Sequence, residues 1–463
     1  MNTLYLPELR EMIAVGDTQG LREFTDALLP ARAAEFMEGL EPTESWVVLR
    51  QAEPEVAGEV LGFLEPDKQA QLVEEVAATS DADQLCQIVA DLPADDRVDL
   101  LNSIDEGVAE QLLRLFPQED LRETIRLRGF PEGTAGSLMT TEVAKLSEGL
   151  SVAEALTEIS RQSRDLETVY YNYVVDKDDR LMGLVSARQL VAHYLEPDQP
   201  IDDLMQRDVV TVEAMDDQEH VAEKVATYDF LAIPVVDDDR RLLGIITHDD
   251  VIDVLRAEAT EDALLAGAVA PFETDYLKTH WFTLVCNRGL WLGVLFFAAL
   301  LTALALRSYE DDFRRASWLV LFIPLVISSG GNSGSQSATL VIRGLTDGGL
   351  RLGDWWRVLR RELIMGLSLG TGLAVVGMLC AWWLTRGDPS AQPTFLEVLA
   401  VPITLLLVVV CGTICGGALP LLFQRLGLDP ALMSNPFVAG IIDIAGILIY
   451  MTVALAMVDG LGA

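Results

Sequence analysis

Five apolar segments, at roughly 281–306, 317–342, 363–385, 396–422 and 432–458, are each long enough to cross a membrane as a helix. A hydrocarbon core of ~30 Å needs about 20 residues at 1.5 Å each. Such segments must satisfy their backbone groups internally, so the C-terminal half is expected to be a helical membrane domain. The rest of the chain has the opposite character. From Glu273 onward there are 12 Lys/Arg and 13 Asp/Glu; the first 272 residues hold 21 and 58, a net of −37 out of −38 for all 463 residues. A strongly acidic half therefore precedes an apolar one. An acidic surface repels phosphates, which argues against nucleic acid as a partner, and attracts cations. Solubility alone is the bland reading of the same charge.

The spans are not plain anchors. The second contains PLVISSGGNSGSQSATLVIRGL, from Pro324 to Leu345, with Gly330, Gly331, Asn332, Gly334 and five serines crowded together. The fifth carries a lone ionisable group between Pro436 and Val458, Asp443. A carboxylate at bilayer depth costs ~2.5–3.5 kcal/mol on insertion scales and marks either an interhelical hydrogen bond or an ion pathway. Asn435, Ala439 and Asp443 fall at i, i+4 and i+8, along one helix face. With the glycine–asparagine span beside it, that face favours a hydrated cation path. A helix running unbroken from Asp429 places Asp443 about 21 Å further along. Loop 343–362 carries five arginines, and the positive-inside rule then puts it and the acidic half in the cytoplasm, with the C-terminus outside.

In the acidic half, residues 22–128 show short amphipathic runs between prolines at 30, 42, 54 and 66, with Pro93 and Pro117 following. Proline suits the first turn of a helix, so the pattern predicts a stack of short helices, an α-solenoid. Residues 138–256 contain a duplication: LMTTEVAKLSEGLSVAEAL matches LMQRDVVTVEAMDDQEHVAEKV, and YVVDKDDRLMGLVSARQLV matches PVVDDDRRLLGIITHDDVI. Each copy reads as strand, acidic turn, strand closed by Gly183 or Gly244, then helix, and resembles a CBS domain. Residues 251–275 are expected to form a charged helix, with Glu258, Glu261 and Asp262 sharing one face. Five cysteines lack disulfide or zinc spacing, four histidines are scattered, and no HExxH, P-loop or GxSxG motif occurs, so an enzyme is not expected. The N-terminus, MNTLYLPELREM, does not read as a signal peptide.

Three stretches, GFPEGTAGSLMTTE (129–142), SGGNSGSQSATLVIRGL (329–345) and DPALMSNPFVAGIIDIAG (429–446), together with the order of the segments, resemble the MgtE family of magnesium channels over nearly the whole chain. The resemblance implies a multidomain fold: helical N domain (1–130), CBS domains (131–197 and 198–256), linker helix (257–280) and five-span pore domain (281–463). It implies a homodimer in the lipid bilayer of the cytoplasmic membrane, with the pore lined by Asp443, Ala439, Asn435, Asn332 and Gly331 and passing largely hydrated Mg²⁺. It also implies that cytosolic Mg²⁺ closes the channel by bridging acidic residues. The matching positions are Asp95 or Asp99, then Asp217, Glu219, Asp229 and Asp250, the linker residues Glu258, Glu261 and Asp262, and Asp429. Some members bind adenine nucleotide in the CBS cleft, which makes ATP a candidate ligand there. Two departures from the family, the shorter Asp262 and Arg256 within the linker, act against a strong sensor. Runner-up readings are a channel or carrier for another divalent ion such as Co²⁺ or Mn²⁺, and a non-conducting CBS-based membrane sensor.

Overall fold

A computed structural model of the chain describes residues 5–163, 166–271, 276, 279–346, 349–385, 393–432 and 435–458. It separates into two compact units, Met1–Arg256 and Ala257–Ala463. In the first, ten short helices (α1 to α10) occupy residues 6–127. The proline period explains four of them. Pro30, Pro42, Pro54 and Pro66 each open a helix: α3 (Pro30–Met37), α4 (Pro42–Leu49), α5 (Pro54–Gly62) and α6 (Pro66–Ala77). There the missing N–H costs nothing and the fixed φ is already helical. Pro93 and Pro117 sit one residue earlier, before α8 (Ala94–Ser103) and α10 (Gln118–Leu127). One face of each helix joins a shared apolar core that includes Leu21, Leu49, Leu61, Leu72, Leu85, Leu101 and Leu112.

The duplicated region forms two three-stranded sheets. The first holds β1 (Val143–Ser147), β2 (Thr168–Val175) and β3 (Leu181–Ser186), with helices α11 (Val152–Gln162) and α12 (Ala187–Ala192). The second holds β4 (Val212–Glu213), β5 (Ala232–Val236) and β6 (Leu242–Thr247), with α13 (Gln218–Tyr228) and α14 (His248–Ala266). In each, the first pair is parallel and the second antiparallel. The copies are interlocked, and boundaries drawn at 197/198 hide this. Thr140 pairs with Ile245 in the second sheet, while Gln206 pairs with Leu184 in the first. Each repeat's opening Leu-Met segment thus edges the other repeat's sheet. Gly244 and Gly183 make room for the crossing: a Cβ on Gly183 would lie 2.6 Å from the Gln206 carbonyl oxygen. The helical stack is fused to this region as well. Ala94, Val98 and Leu127 share a core with Met139, Val221 and Ile246. Beside it, Arg97, 2% exposed, donates to the Ala90 carbonyl at 2.8 Å and to Glu123 at 2.9 Å.

In the second unit the long helices are α15 (Trp281–Ser308), α17 (Ile323–Thr346), α18 (Trp355–Thr385), α20 (Ala400–Arg425) and α21 (Asn435–Met457). Two short ones, α16 (Glu310–Arg315) and α19 (Phe395–Val398), precede α17 and α20. Four spans are long and apolar enough to cross a membrane among the described residues; α17 is not one of them. Its glycines, serines and asparagine hold its hydropathy down. The predicted 343–362 loop is also shorter than expected. Arg343 lies in the last turn of α17, and Arg357, Arg360 and Arg361 stand in the first turns of α18. The linker helix is not separate either: it continues α14 and stops at Ala266, where Ala268 turns left-handed at φ +58°. Of the expected 251–275 helix, 267–271 is therefore not helical and 272–275 lies outside the described residues.

Glycines set how close the spans come. Gly330 and Gly334 of α17 meet Gly412 and Gly416 of α20 with main chain against main chain: a Cβ on Gly412 would lie 2.6 Å from the Gly330 oxygen, and one on Gly416 3.0 Å from the Gly334 Cα. Small-residue seams of this kind are how spans associate without a hydrophobic drive. A methyl there has no flexible neighbour to displace. Gly416→Ala is therefore expected to destabilise the purified protein by about 1–3 kcal/mol, read as a lower Tm in detergent. Gly372→Ala, in open space, should not lower it.

Candidate ion path and cation-sensing carboxylates

Helices α17 and α21 run antiparallel, and the sequence stripe lies between them. Gly331 is the point of contact: a Cβ there would sit 3.3 Å from Ala439 Cβ and 3.4 Å from Asp443 Oδ1. Two turns along α17, Thr339 Oγ1 donates to Asn435 Oδ1 and Ser335 Oγ to the Asn435 carbonyl, both at 3.0 Å. Asn435, Ala439, Asp443 and Gly331 are thus brought together. Helix α21 begins at Asn435 rather than at Asp429, so Asp443 is about 12 Å up that helix, not 21 Å from Asp429 along a continuous one. Asn332 is next to this contact but on the outer face, where it donates to Ser328 Oγ at 3.2 Å. Ser328, Asn332, Gln336, Thr339 and Arg343 are all exposed in the single chain, while Gly330, Gly331, Ser333, Gly334, Ser337 and Ala338 are buried. Glycines and small serines of the helix thus face protein, while a row of larger polar side chains faces outward, with Leu325 and Leu340 also exposed on that side. A polar stripe cannot face lipid cheaply, so it calls for water or another polar surface.

In the first unit, α8 and the start of α14 crowd carboxylates together. Asp95 is 9% exposed, and burial pushes its carboxyl well above the usual range, with Asp250, Asp96 and Glu167 adding to the push. Its Oδ1 has no hydrogen-bond partner. Asp99 is raised to about 6 by partial desolvation and by Asp96, Asp250 and Glu132. Glu167 is raised to about 7, first by desolvation and then by Glu142, Asp250, Asp249 and Asp96. Asp250 is raised too, by burial first and by Asp249 and Asp96, against a 2.6 Å hydrogen bond from Thr247 Oγ1. Both alternatives from the N domain, Asp95 and Asp99, therefore lie within electrostatic reach of Asp250. Asp249, one of the acids crowded into the second repeat, stands with them; Asp96 and Glu167 complete the group and were not anticipated, because nothing in the local sequence sets them apart from other surface acids.

A second acidic group gathers at the other end of α14. The Asp262 carboxyl is raised by burial, then by Asp429, Glu258 and Glu261. Asp429, Glu258 and Glu261 are thus each within electrostatic reach of Asp262. Two of the three remaining candidates, Asp217, Glu219 and Asp229, have local roles. Asp217 caps the N-terminus of α13, accepting the Glu219 N–H at 2.9 Å, and Asp229 ends it in a left-handed conformation, φ +54°. An 11-residue helix spans about 16 Å, so Asp217 and Asp229 cannot share one ion. Among the described residues no three His, Cys, Asp or Glu side chains already stand as a metal cage. The donors still fit Mg²⁺. It prefers carboxylate oxygens and keeps several waters, so it can bridge spaced carboxylates, and the orphaned Asp95 Oδ1 is an acceptor that needs a donor or cation. Between the two repeats, Tyr171, Leu184, Gln206, Val209, Phe230 and Pro234 line an apolar cleft.

Comparison with known proteins matches the chain domain by domain. A family model described as divalent cation transporter matches residues 323–453, one described as MgtE intracellular N domain matches 28–133, and CBS domain models match 135–196 and 201–257. The magnesium transporter MgtE of Thermus thermophilus is 36% identical over 454 residues, covering 97% of this chain and 98% of the relative. The chain belongs to the MgtE family. The Bacillus subtilis MgtE is 29% identical over 96% of each chain. The crystal structure of the soluble part of a magnesium transporter aligns at TM-score 0.51 with 32% identity, over 55% of this chain and 97% of the other. The cytosolic domain of the Mg²⁺ channel MgtE in complex with ATP aligns at 0.50 with 36% identity, over 53% and 98%. MgtE proteins are membrane transporters and not enzymes. The MgtE architecture accounts for the multidomain fold seen here, with its N domain, tandem CBS pair and helical membrane region.

Proposed function

We propose that this MgtE-family protein is a Mg²⁺-selective channel of the cytoplasmic membrane that imports Mg²⁺ and is closed by Mg²⁺ on the cytosolic side. The observation that carries the conducting role is the Asp443 stripe against the glycine face of α17, with the outward polar row of α17 beside it. Two copies joined through that row enclose it in a hydrated path, so the functional unit is a homodimer. Asp443, Ala439 and Asn435, with Gly331 and Asn332, line the path. Hydrated recognition suits Mg²⁺, because it dehydrates reluctantly and carboxylates at hydrated distance hold it without stripping it.

The acidic groups supply the sensor. Asp95, Asp99 and Asp250 would hold one set of regulatory ions and Glu258, Glu261, Asp262 and Asp429 another, with Asp217, Glu219 and Asp229 as further candidates. Bound Mg²⁺ would supply positive charge that cancels their repulsion. Without it, like charges at these spacings push their helices apart. The acidic half then lies in the cytoplasm and the C-terminus outside. The cleft at Phe230 and Tyr171 is proposed to take ATP, a reading supported by the crystal structure of a similar MgtE cytosolic domain in complex with ATP.

Flux into liposomes tests the reading, with Mg²⁺ varied on the side of the acidic half. Import should be high at micromolar Mg²⁺ on that side and fall in the millimolar range. No flux at any concentration would leave a non-conducting sensor. Equal flux of Co²⁺ or Mn²⁺ in competition would favour a general divalent channel, the wider description of the matching membrane model.

A further inference from the structure

The spans bury another carboxylate that the ion path does not use. Glu362 lies seven residues into α18, about 10 Å from its start, and is 8% exposed. Its Oε2 accepts a hydrogen bond from Ser337 Oγ of α17 at 2.6 Å. Its own carbonyl accepts from Thr413 Oγ1 of α20 at 3.1 Å, and its Cγ rests over Gly417, where a Cβ would come within 2.8 Å. Glu362 therefore ties three helices at one point: its backbone to α20, its side chain to α17. Ser337 is on the buried face of α17, opposite the side that carries Asn332.

The seam between α17 and α20 explains why such a tie matters. Gly330, Gly334, Gly412 and Gly416 bring the two main chains together, with Val408 seated against Gly330. A glycine seam holds helices close, yet has few knobs to fix their rotation or axial position. A directional hydrogen bond does. We propose that Glu362 is a positioning residue for transport: through Ser337 it sets the rotation of α17 and so where Asn332 and Gly331 stand against Asp443. The inference rests on the ion path proposed above.

The test is Mg²⁺ flux against Mg²⁺ concentration in liposomes holding the full chain, for Glu362→Ala, Glu362→Gln and Ser337→Ala. A misplaced path weakens ion binding, so Glu362→Ala and Ser337→Ala are each expected to raise the apparent KM at least about threefold. Glu362→Gln keeps an acceptor and should stay within about twofold of the parent. The Glu362→Ala/Ser337→Ala double variant should be no worse than Glu362→Ala, since both remove one interaction. Lower maximal flux at unchanged KM would mean Glu362 only supports folding and would overturn the proposal, as would additive effects. Ser337→Ala buries no new group and keeps the test open if Glu362→Ala does not fold. Asp443→Asn, run in parallel, separates the two ideas: normal flux there removes the ion path while leaving a Glu362 effect to be explained otherwise.

Discussion

Asp443→Asn is expected to lower Mg²⁺ flux at least tenfold with expression and assembly unchanged. At about 5 Å and an effective dielectric of 20, one carboxylate attracts a divalent ion by ~6 kcal/mol before desolvation. Retaining a quarter of that is already a factor of about ten. Asparagine is close in size, so the close approach of Gly331 and Ala439 survives and the change isolates charge. Liposome flux and complementation of Mg²⁺-dependent growth both report on it. Parent-level uptake by Asp443→Asn would sink the assignment. Asp429→Asn, by contrast, should leave conduction intact and shift the Mg²⁺ concentration that closes the channel.

The next largest effect expected is on the sensor's response to pH. Asp99 and Glu167 titrate near 6 and 7 in the folded protein, and Asp95 and Asp250 are also raised. Folded values above the unfolded ones mean that the native state binds the extra protons. Stability is thus gained at lower pH and lost as pH rises from about 4 through about 7. Mg²⁺ must displace those protons, so its apparent affinity should be about tenfold weaker at pH 5.5 than at pH 7.5. Titrating Mg²⁺ against thermal unfolding of the full chain at both pH values measures this. Proton release on adding Mg²⁺ in weak buffer gives a second reading. The double variant Asp99→Asn/Glu167→Gln should flatten the difference, which distinguishes the cluster from the general acidity of the surface. Identical Mg²⁺ midpoints at the two pH values would count against it.

Much of the architecture is legible in the chain because it rests on short-range rules. Proline at the first helical position marks α3 to α6, and alternating strands closed by Gly183 and Gly244 mark both repeats. The stripe of Asn435, Ala439 and Asp443 follows from helical periodicity alone. What was hidden depends on distant partners. Glu362 sits in RRELIM and reads as the edge of a basic loop; its burial needs Gly417 and Ser337, each at least 25 residues away. Asp96 and Glu167 look like ordinary surface acids until α8 and α14 are side by side. The crossing of the Leu-Met segments cannot be read from a repeat alignment, since each copy is locally complete.

Helix α17 has a consequence for how the protein is made. It falls below the apolarity of the other spans, and its inner face offers bare glycine backbone. Left alone in lipid it is a poor guest. The partners that shelter it, α18, α20 and α21, all emerge later from the ribosome. Its insertion must therefore wait on segments that do not yet exist when it is synthesised. Until Gly412 and Gly416 arrive, α17 has to be held at the interface or in the translocation machinery. A chain truncated after α17 should then leave that helix uninserted, although every residue of it is present.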